Sequence, residues 1–215
     1  MAKYPINAQD PYLDKDSGVL RNRLGITDQV ELDRVEATFA LVRSYELTDT
    51  PVAGHFDLAH LQAIHQRLFG DVYEWAGQVR TVDISKDNTR FANFQQIEGY
   101  APEITRPLRR EQFLIGLDVD AFCKRAGHYL GELNVLHPFR EGNGRSIREF
   151  VGQLARGAGY AVDWRGIGRL EMIQASIEAY EGSSSRLGEL IRSNICDLDQ
   201  ERARDLARAV AGEAG

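Results

Sequence analysis

A chain of 215 residues with 43% apolar and 27% charged side chains can bury one substantial core and is too apolar for an unfolded segment. Its formal charge of −6 excludes a global basic field for nucleic acid or anionic lipid, so any phosphate recognition has to be local. No apolar run approaches the roughly 18 residues of a membrane span and the Met1–Pro5 start has no signal-peptide core, so a cytoplasmic protein without membrane or direct nucleic-acid partners is expected.

Residues 1–26, with Asp10-Pro11 and Asp16-Ser17-Gly18, read as an irregular arm. A first helix is expected from Asp28 to Arg43, with Val30, Val35, Phe39 and Val42 as a partly buried stripe; Thr48-Asp49-Thr50-Pro51 breaks it. Asp57 can cap a second helix whose Leu58, Leu61, Ile64 and Leu68 share a face, with Gly70 placed as a C-cap glycine. The pattern then changes. Residues 78–85 alternate polar and apolar, Lys86-Asp87-Asn88-Thr89 is rich in turn formers, and 90–94 alternates again, which predicts a β-hairpin over about 78–95.

Helical patterns resume over 94–109, with Pro102 and Pro107 as candidate breaks, and again over Asp118–Leu136, with Phe122, Tyr129, Leu130 and Leu133 on one side. A buried helix bearing Ser146, Ile147, Phe150, Val151 and Leu154 should end near Gly157-Ala158-Gly159, and further helices are expected over 170–180, 185–194 and 198–211. Cys123 and Cys196 have no Cys/His ligand spacing, and His55, His60, His65 and His128 have no partner spacing, so all six read as packing or surface residues. The expected fold class is all-α with one small hairpin, in a single domain.

The densest chemistry lies in residues 137–148, His-Pro-Phe-Arg-Glu-Gly-Asn-Gly-Arg-Ser-Ile-Arg. Pro138 disfavours helical backbone at His137, so the preceding helix should stop there and present an imidazole able to act as a base near neutrality. Gly142 and Gly144 allow positive φ and close approach of a ligand; with Asn143 they form a turn whose amides, at a helix N-terminus, suit phosphate oxygens. Arg145 and Arg148 lie three apart and can project from one face of the first helical turn, which favours a polyphosphate. Glu141 is placed to ligate a Mg²⁺ ion bridging phosphates.

The segment resembles the signature of Fic-domain proteins, His-Pro-Phe-x-Asp/Glu-Gly-Asn-Gly-Arg-x-x-Arg, and matches each of its fixed positions. The Trp75-Ala76-Gly77-Gln78-Val79-Arg80 segment, the hairpin and the surrounding helices resemble the compact bacterial Fic toxins over nearly the whole chain. The resemblance implies a Fic domain over 27–196, followed by a C-terminal helix over 197–215. It implies transfer of AMP from ATP to a Ser, Thr or Tyr hydroxyl of a target protein, with His137 accepting the hydroxyl proton. Glu141 would hold Mg²⁺; Gly142, Asn143 and Gly144 the anion, with Asn143 reaching the α-phosphate; Arg145 the β-phosphate; and Arg148 the γ-phosphate. The hairpin resembles the family's flap, along which an extended target segment pairs as an added strand. Lys86 and Phe91 match flap positions bordering the active site, and Lys86, Asp87, Asn88 and Thr89 are placed to touch the nucleotide. Tyr180 has two readings, a wall of the adenine pocket and core packing.

Many Fic proteins are silenced by a helix carrying Ser/Thr-x-x-x-Glu-Gly/Asn. Ser185–Glu189 and Thr27–Glu31 have the spacing but are followed by Leu190 and Leu32, so no convincing internal inhibitor is present. The resemblance therefore implies a small separate antitoxin whose glutamate reaches Arg148, and type II topoisomerases (DNA gyrase, topoisomerase IV) as targets. Transfer of another phosphate-containing group and a catalytically silent nucleotide- or partner-binding module stand as alternatives. The intact Gly-Asn-Gly-Arg turn argues against the first, and His137 with Glu141 against the second.

Overall fold

The computed structural model describes residues 10–86 and 89–198. Asp87, Asn88 and all but the start of the helix expected over 197–215 lie outside them, and Asp197 itself ends a β-strand. Among the described residues the fold is helical, with two short antiparallel pairs instead of one.

Helix α1 (Gln29–Asp49) starts where Asp28 accepts a hydrogen bond from the Glu31 amide at 2.8 Å, and it runs past the expected end at Arg43. Its buried stripe is Leu32, Glu36, Ala40 and Leu47; Val30 and Val42, assigned to the stripe from sequence, are exposed. Apolar residues are spread around this helix, so periodicity selects no face and the neighbours decide which side is covered. Helix α2 (Leu58–Phe69) is capped by Asp57 as expected and buries Leu61, Ile64, Leu68 and Phe69. Gly70 has φ −63°, so it is no left-handed stop.

The flap is shorter than the alternation implied: β1 (Ser85–Lys86) pairs with β2 (Thr89–Arg90), and residues 78–84 approach it without strand pairing. A 3₁₀ turn at Phe94–Gln96 leads into α3 (Ile97–Arg110), which passes through Pro102 and Pro107 unbroken. The carbonyls those prolines leave without a donor belong to exposed Glu98 and Glu103, where water can serve them, while Ile97, Ala101, Ile104 and Leu108 hold the opposite face in the core.

Helix α4 (Val119–Leu136), capped by Asp118, and α5 (Asn143–Gly157) form the centre. Phe122, Phe139 and Phe150 are fully buried around them, each contributing about 2–3 kcal/mol. The second pair, β3 (Tyr160–Val162) with β4 (Ile195–Asp197), escaped the sequence reading because three-residue strands carry too few alternations to register. Between them lie α6 (Arg169–Tyr180) and α7 (Ser185–Ser193). Helix α7 lies so close to α4 that a Cβ on Gly127 would sit 2.4 Å from the Gly188 nitrogen.

The arm is less separate than its composition suggested. Tyr12, Val19 and Leu20 are buried, and the Tyr12 hydroxyl accepts from the Thr81 amide at 3.1 Å. No helix among the described residues is long and apolar enough to cross a membrane.

Candidate active site

Helix α4 ends on His137, whose backbone is left-handed (φ 45°, ψ 61°) while its amide still bonds the Leu133 carbonyl at 3.0 Å. This conformation costs a non-glycine residue about 1–2 kcal/mol, so the surroundings must enforce it. Pro138 disfavours the right-handed helix at this position, and Arg80 helps to hold the left-handed one. The buried Arg80 side chain donates through Nε to the His137 carbonyl at 2.9 Å, and its backbone amide donates to the Pro138 carbonyl at 2.8 Å.

Nδ1 of His137 lies 2.9 Å from the Asn134 carbonyl, which can only accept, so Nδ1 carries the hydrogen and Nε2 the lone pair. The ring is stacked on Phe91 of the flap at 3.7 Å and 15°. Burial pulls the imidazole down to about 3 against the support of the Asn134 bond, and the charges of Arg80 and Lys86 push the same way as burial. His137 is thus a neutral proton acceptor at physiological pH.

The loop from His137 to Gly142 is fixed from within. Asn143 donates from Nδ2 to the Phe139 carbonyl at 2.7 Å and accepts from the Phe139 amide at 2.8 Å. That pair of bonds occupies the side chain expected to reach an α-phosphate and makes it a clamp of the loop. The Glu141 carbonyl accepts from His65 Nε2 at 2.9 Å, and His65 Nδ1 accepts from the Gly77 amide at 2.8 Å, so a histidine read as structural holds the loop to the Trp75–Arg80 segment. Gly142 has φ 80°, and a Cβ there would lie 2.5 Å from the Phe69 ring; no other residue fits. Gly144, by contrast, begins the right-handed turn of α5, so only one of the two glycines needs positive φ.

Helix geometry leaves the first amides of α5 without helical acceptors. The Gly142 amide donates to Glu141 Oε1 at 2.9 Å, whereas those of Asn143 and Gly144 meet no acceptor among the described residues. The two motif arginines differ. Arg145 bonds the buried carboxylate of Glu36, lies over the Phe69 ring at 4.6 Å and stands 3.9 Å from Glu141. Arg148 makes no hydrogen bond or ion pair among the described residues, and burial, followed by the charge of Arg145, pushes its pKa down. Its guanidinium lies beside the bare Cα of Gly144. A half-buried cation with no counter-charge among the described residues, next to open helix amides, is suited to receive an anion.

Lys86 and Thr89 lie half-buried on the flap strands; Asp87 and Asn88 are outside the described residues. Tyr180 is exposed at the end of α6, which removes the core-packing reading. Sequence reasoning missed Glu36, Asp10 and the anchoring role of Arg80. Asp10 forms a buried 2.8 Å ion pair with Arg140 of the loop. The available signal was a lone carboxylate at a four-residue spacing from Leu32 and Ala40.

The model of the Fic/DOC family matches residues 55–155. The probable protein adenylyltransferase Fic of Salmonella typhimurium is 39% identical over 88% of this chain and 94% of its own length. The chain belongs to the Fic/DOC family. Another relative, the protein adenylyltransferase VbhT of Bartonella schoenbuchensis, is 55% identical over 98% of this chain, which spans only 44% of VbhT. Among solved structures, the BepC protein of Bartonella tribocorum with bound AMPPNP superposes with a TM-score of 0.81 at 28% identity, covering 87% of this chain and 97% of BepC. The 55–155 match begins before α2 and ends within α5, so it contains the flap, His137 and both motif arginines but not α1.

Proposed function

We propose that this chain is a protein adenylyltransferase that transfers AMP from ATP to a Ser, Thr or Tyr hydroxyl of a target protein. The relatives named above are described as protein adenylyltransferases, one of them as probable. The observation that carries the reading here is the tautomer of His137. With Nδ1–H tied to the Asn134 carbonyl, Nε2 is the basic atom, one short loop away from helix amides and an Arg148 that have no partner among the described residues.

In the proposed reaction the target oxygen bonds to the α-phosphorus, the bond from that phosphorus to the oxygen bridging the β-phosphate breaks, and diphosphate leaves. The hydroxyl proton passes to Nε2 of His137. The amides of Asn143 and Gly144 face charge on the transferred group, Arg145 the β-phosphate and Arg148 the γ-phosphate. Lys86 to Thr89 border the nucleotide from the flap, where the target segment pairs. Glu141 is a single carboxylate, and no set of three metal-binding side chains exists among the described residues, so it fits a Mg²⁺ ion that enters with the nucleotide. Such an ion supplies charge neutralisation on the phosphates.

Arg148, without an ion pair among the described residues, also supports control by a small antitoxin whose glutamate fills that place. On the same family ground the proposed targets are DNA gyrase and topoisomerase IV, in the cytoplasm of a bacterium. Incubation with ATP labelled on the α-phosphate and a bacterial lysate tests the reaction. A labelled protein band that gains about 329 Da supports it, whereas a gain of about 80 Da would mean phosphate transfer (masses of the groups added to a hydroxyl). Suppression of toxicity by a co-expressed partner tests the control.

A further inference from the structure

We infer that Glu36 of α1 is a positioning residue for the reaction: its buried carboxylate fixes the Arg145 guanidinium that receives the β-phosphate of ATP. The inference rests on the adenylyl-transfer reading above.

Glu36 lies outside the signature, more than a hundred positions before it, and is 2% exposed. A carboxylate removed from water needs partners for both oxygens. Oε2 accepts from the Tyr73 hydroxyl and Oε1 from Nη2 of Arg145. Tyr73 is itself buried and stacked on Trp75 at 4.3 Å, so the far oxygen is anchored to a rigid pair of rings. Burial and the neighbouring Glu36 charge raise the Tyr73 pKa, which keeps its hydroxyl a donor.

Arg145 is thus held from two sides, by α1 through Glu36 and by the Phe69 ring of α2. The bond to Glu36 is the one hydrogen bond of its side chain among the described residues, and that side chain stays 28% exposed. A guanidinium has five N–H donors, so most remain for a ligand. An arginine whose rotamer is already fixed loses less freedom when a phosphate arrives, and a fixed fork also sets where that phosphate sits. Glu36 cannot act as a mobile competitor for the same donors, because Tyr73 and its burial hold it on the core side. Among the described residues Arg148 has no such carboxylate, which divides the two arginines into one placed by the fold and one left for an incoming charge.

The test compares wild type with Glu36→Ala and Glu36→Gln. Dissociation constants are measured for ATP, ADP and AMP by titration calorimetry, alongside transfer of α-phosphate label and thermal melting. AMP lacks the β-phosphate, so it reports general damage to the pocket. Glu36→Ala is expected to weaken ATP and ADP about tenfold or more, the scale of one charge-assisted contact, with AMP within about twofold. Glu36→Gln should fall between, since an amide oxygen still accepts from Arg145, and it carries the test if the alanine variant does not fold. Equal losses for all three nucleotides, no loss, or tighter ATP binding would each overturn the positioning role. A folded wild type that binds ATP but labels no protein defeats the adenylyl-transfer reading instead, and the nucleotide series still decides what Glu36 does.

Discussion

The loop that follows α4 and the flap meet at the Phe91–His137 ring stack, yet they are held by different means. The loop is inserted into the main core through Phe139 and tied by Asn143, His65, Arg80 and the Arg140–Asp10 pair. The flap has two paired residues on each side and its own small cluster of Ile84 and Phe91, with Val82 against it. Arg80 joins the two regions, donating to His137 in the loop and to Val82 and Ala92 at the flap base. The loop must hold a strained histidine in one place, which takes many partners. In the proposed reaction the flap accepts an extended target segment along its edge, which a short ladder with few side-chain ties leaves open. In this fold, precision and access belong to separate elements that share one buried arginine.

Substitutions that separate the two regions sharpen that contrast. His137→Ala should lower transfer by about a thousandfold, the range for loss of a general base, while ATP affinity measured by calorimetry stays near that of wild type. A parallel loss of ATP binding in a folded variant would end the division between base and anion site. Gly142→Ala comes next. Its methyl would meet the Phe69 ring at a positive φ, so a loss of about 3 kcal/mol in denaturant unfolding is expected, together with weaker nucleotide binding.

Acid should act on the loop through its histidines. His65 and His137 are both pulled to about 3, mainly by burial. Below the ordinary histidine range the unfolded chain takes up protons that the folded chain refuses. Stability is therefore complete above about pH 6.5 and falls towards pH 3, by about 1.4 kcal/mol per pH unit for each histidine, or roughly 3 for the pair, through the middle of that range. Melting at pH 7.5, 6 and 4.5 checks the sign; a chain most stable at pH 5 would contradict it. The transfer rate, for the same reason, should hold from pH 7.5 down to 6, because His137 remains unprotonated. Smallest of all, Phe91→Ala should cost about 1 kcal/mol and reduce transfer about fivefold, the worth of one ring stack, without weakening ATP. A loss as large as that of His137→Ala would mean that the flap, too, is part of the proton-accepting machinery.

The sequence alone determined the elements that local chemistry dictates. Asp57 and Asp118 cap their helices, Pro138 stops α4, and residues 137–148 contain the chemistry of the loop within a contiguous stretch. Local rules work there because caps, prolines and motif spacing act within a few residues. Only the tertiary structure decided which face of α1 is buried, that Pro102 and Pro107 leave α3 intact, and that the Asn143 side chain clamps the loop. It also decided that Glu36, Asp10 and Arg80, scattered along the chain, converge on the loop. Such pairings depend on how helices pack, and a buried carboxylate looks the same in sequence as a solvated one until the partner that neutralises it is in place.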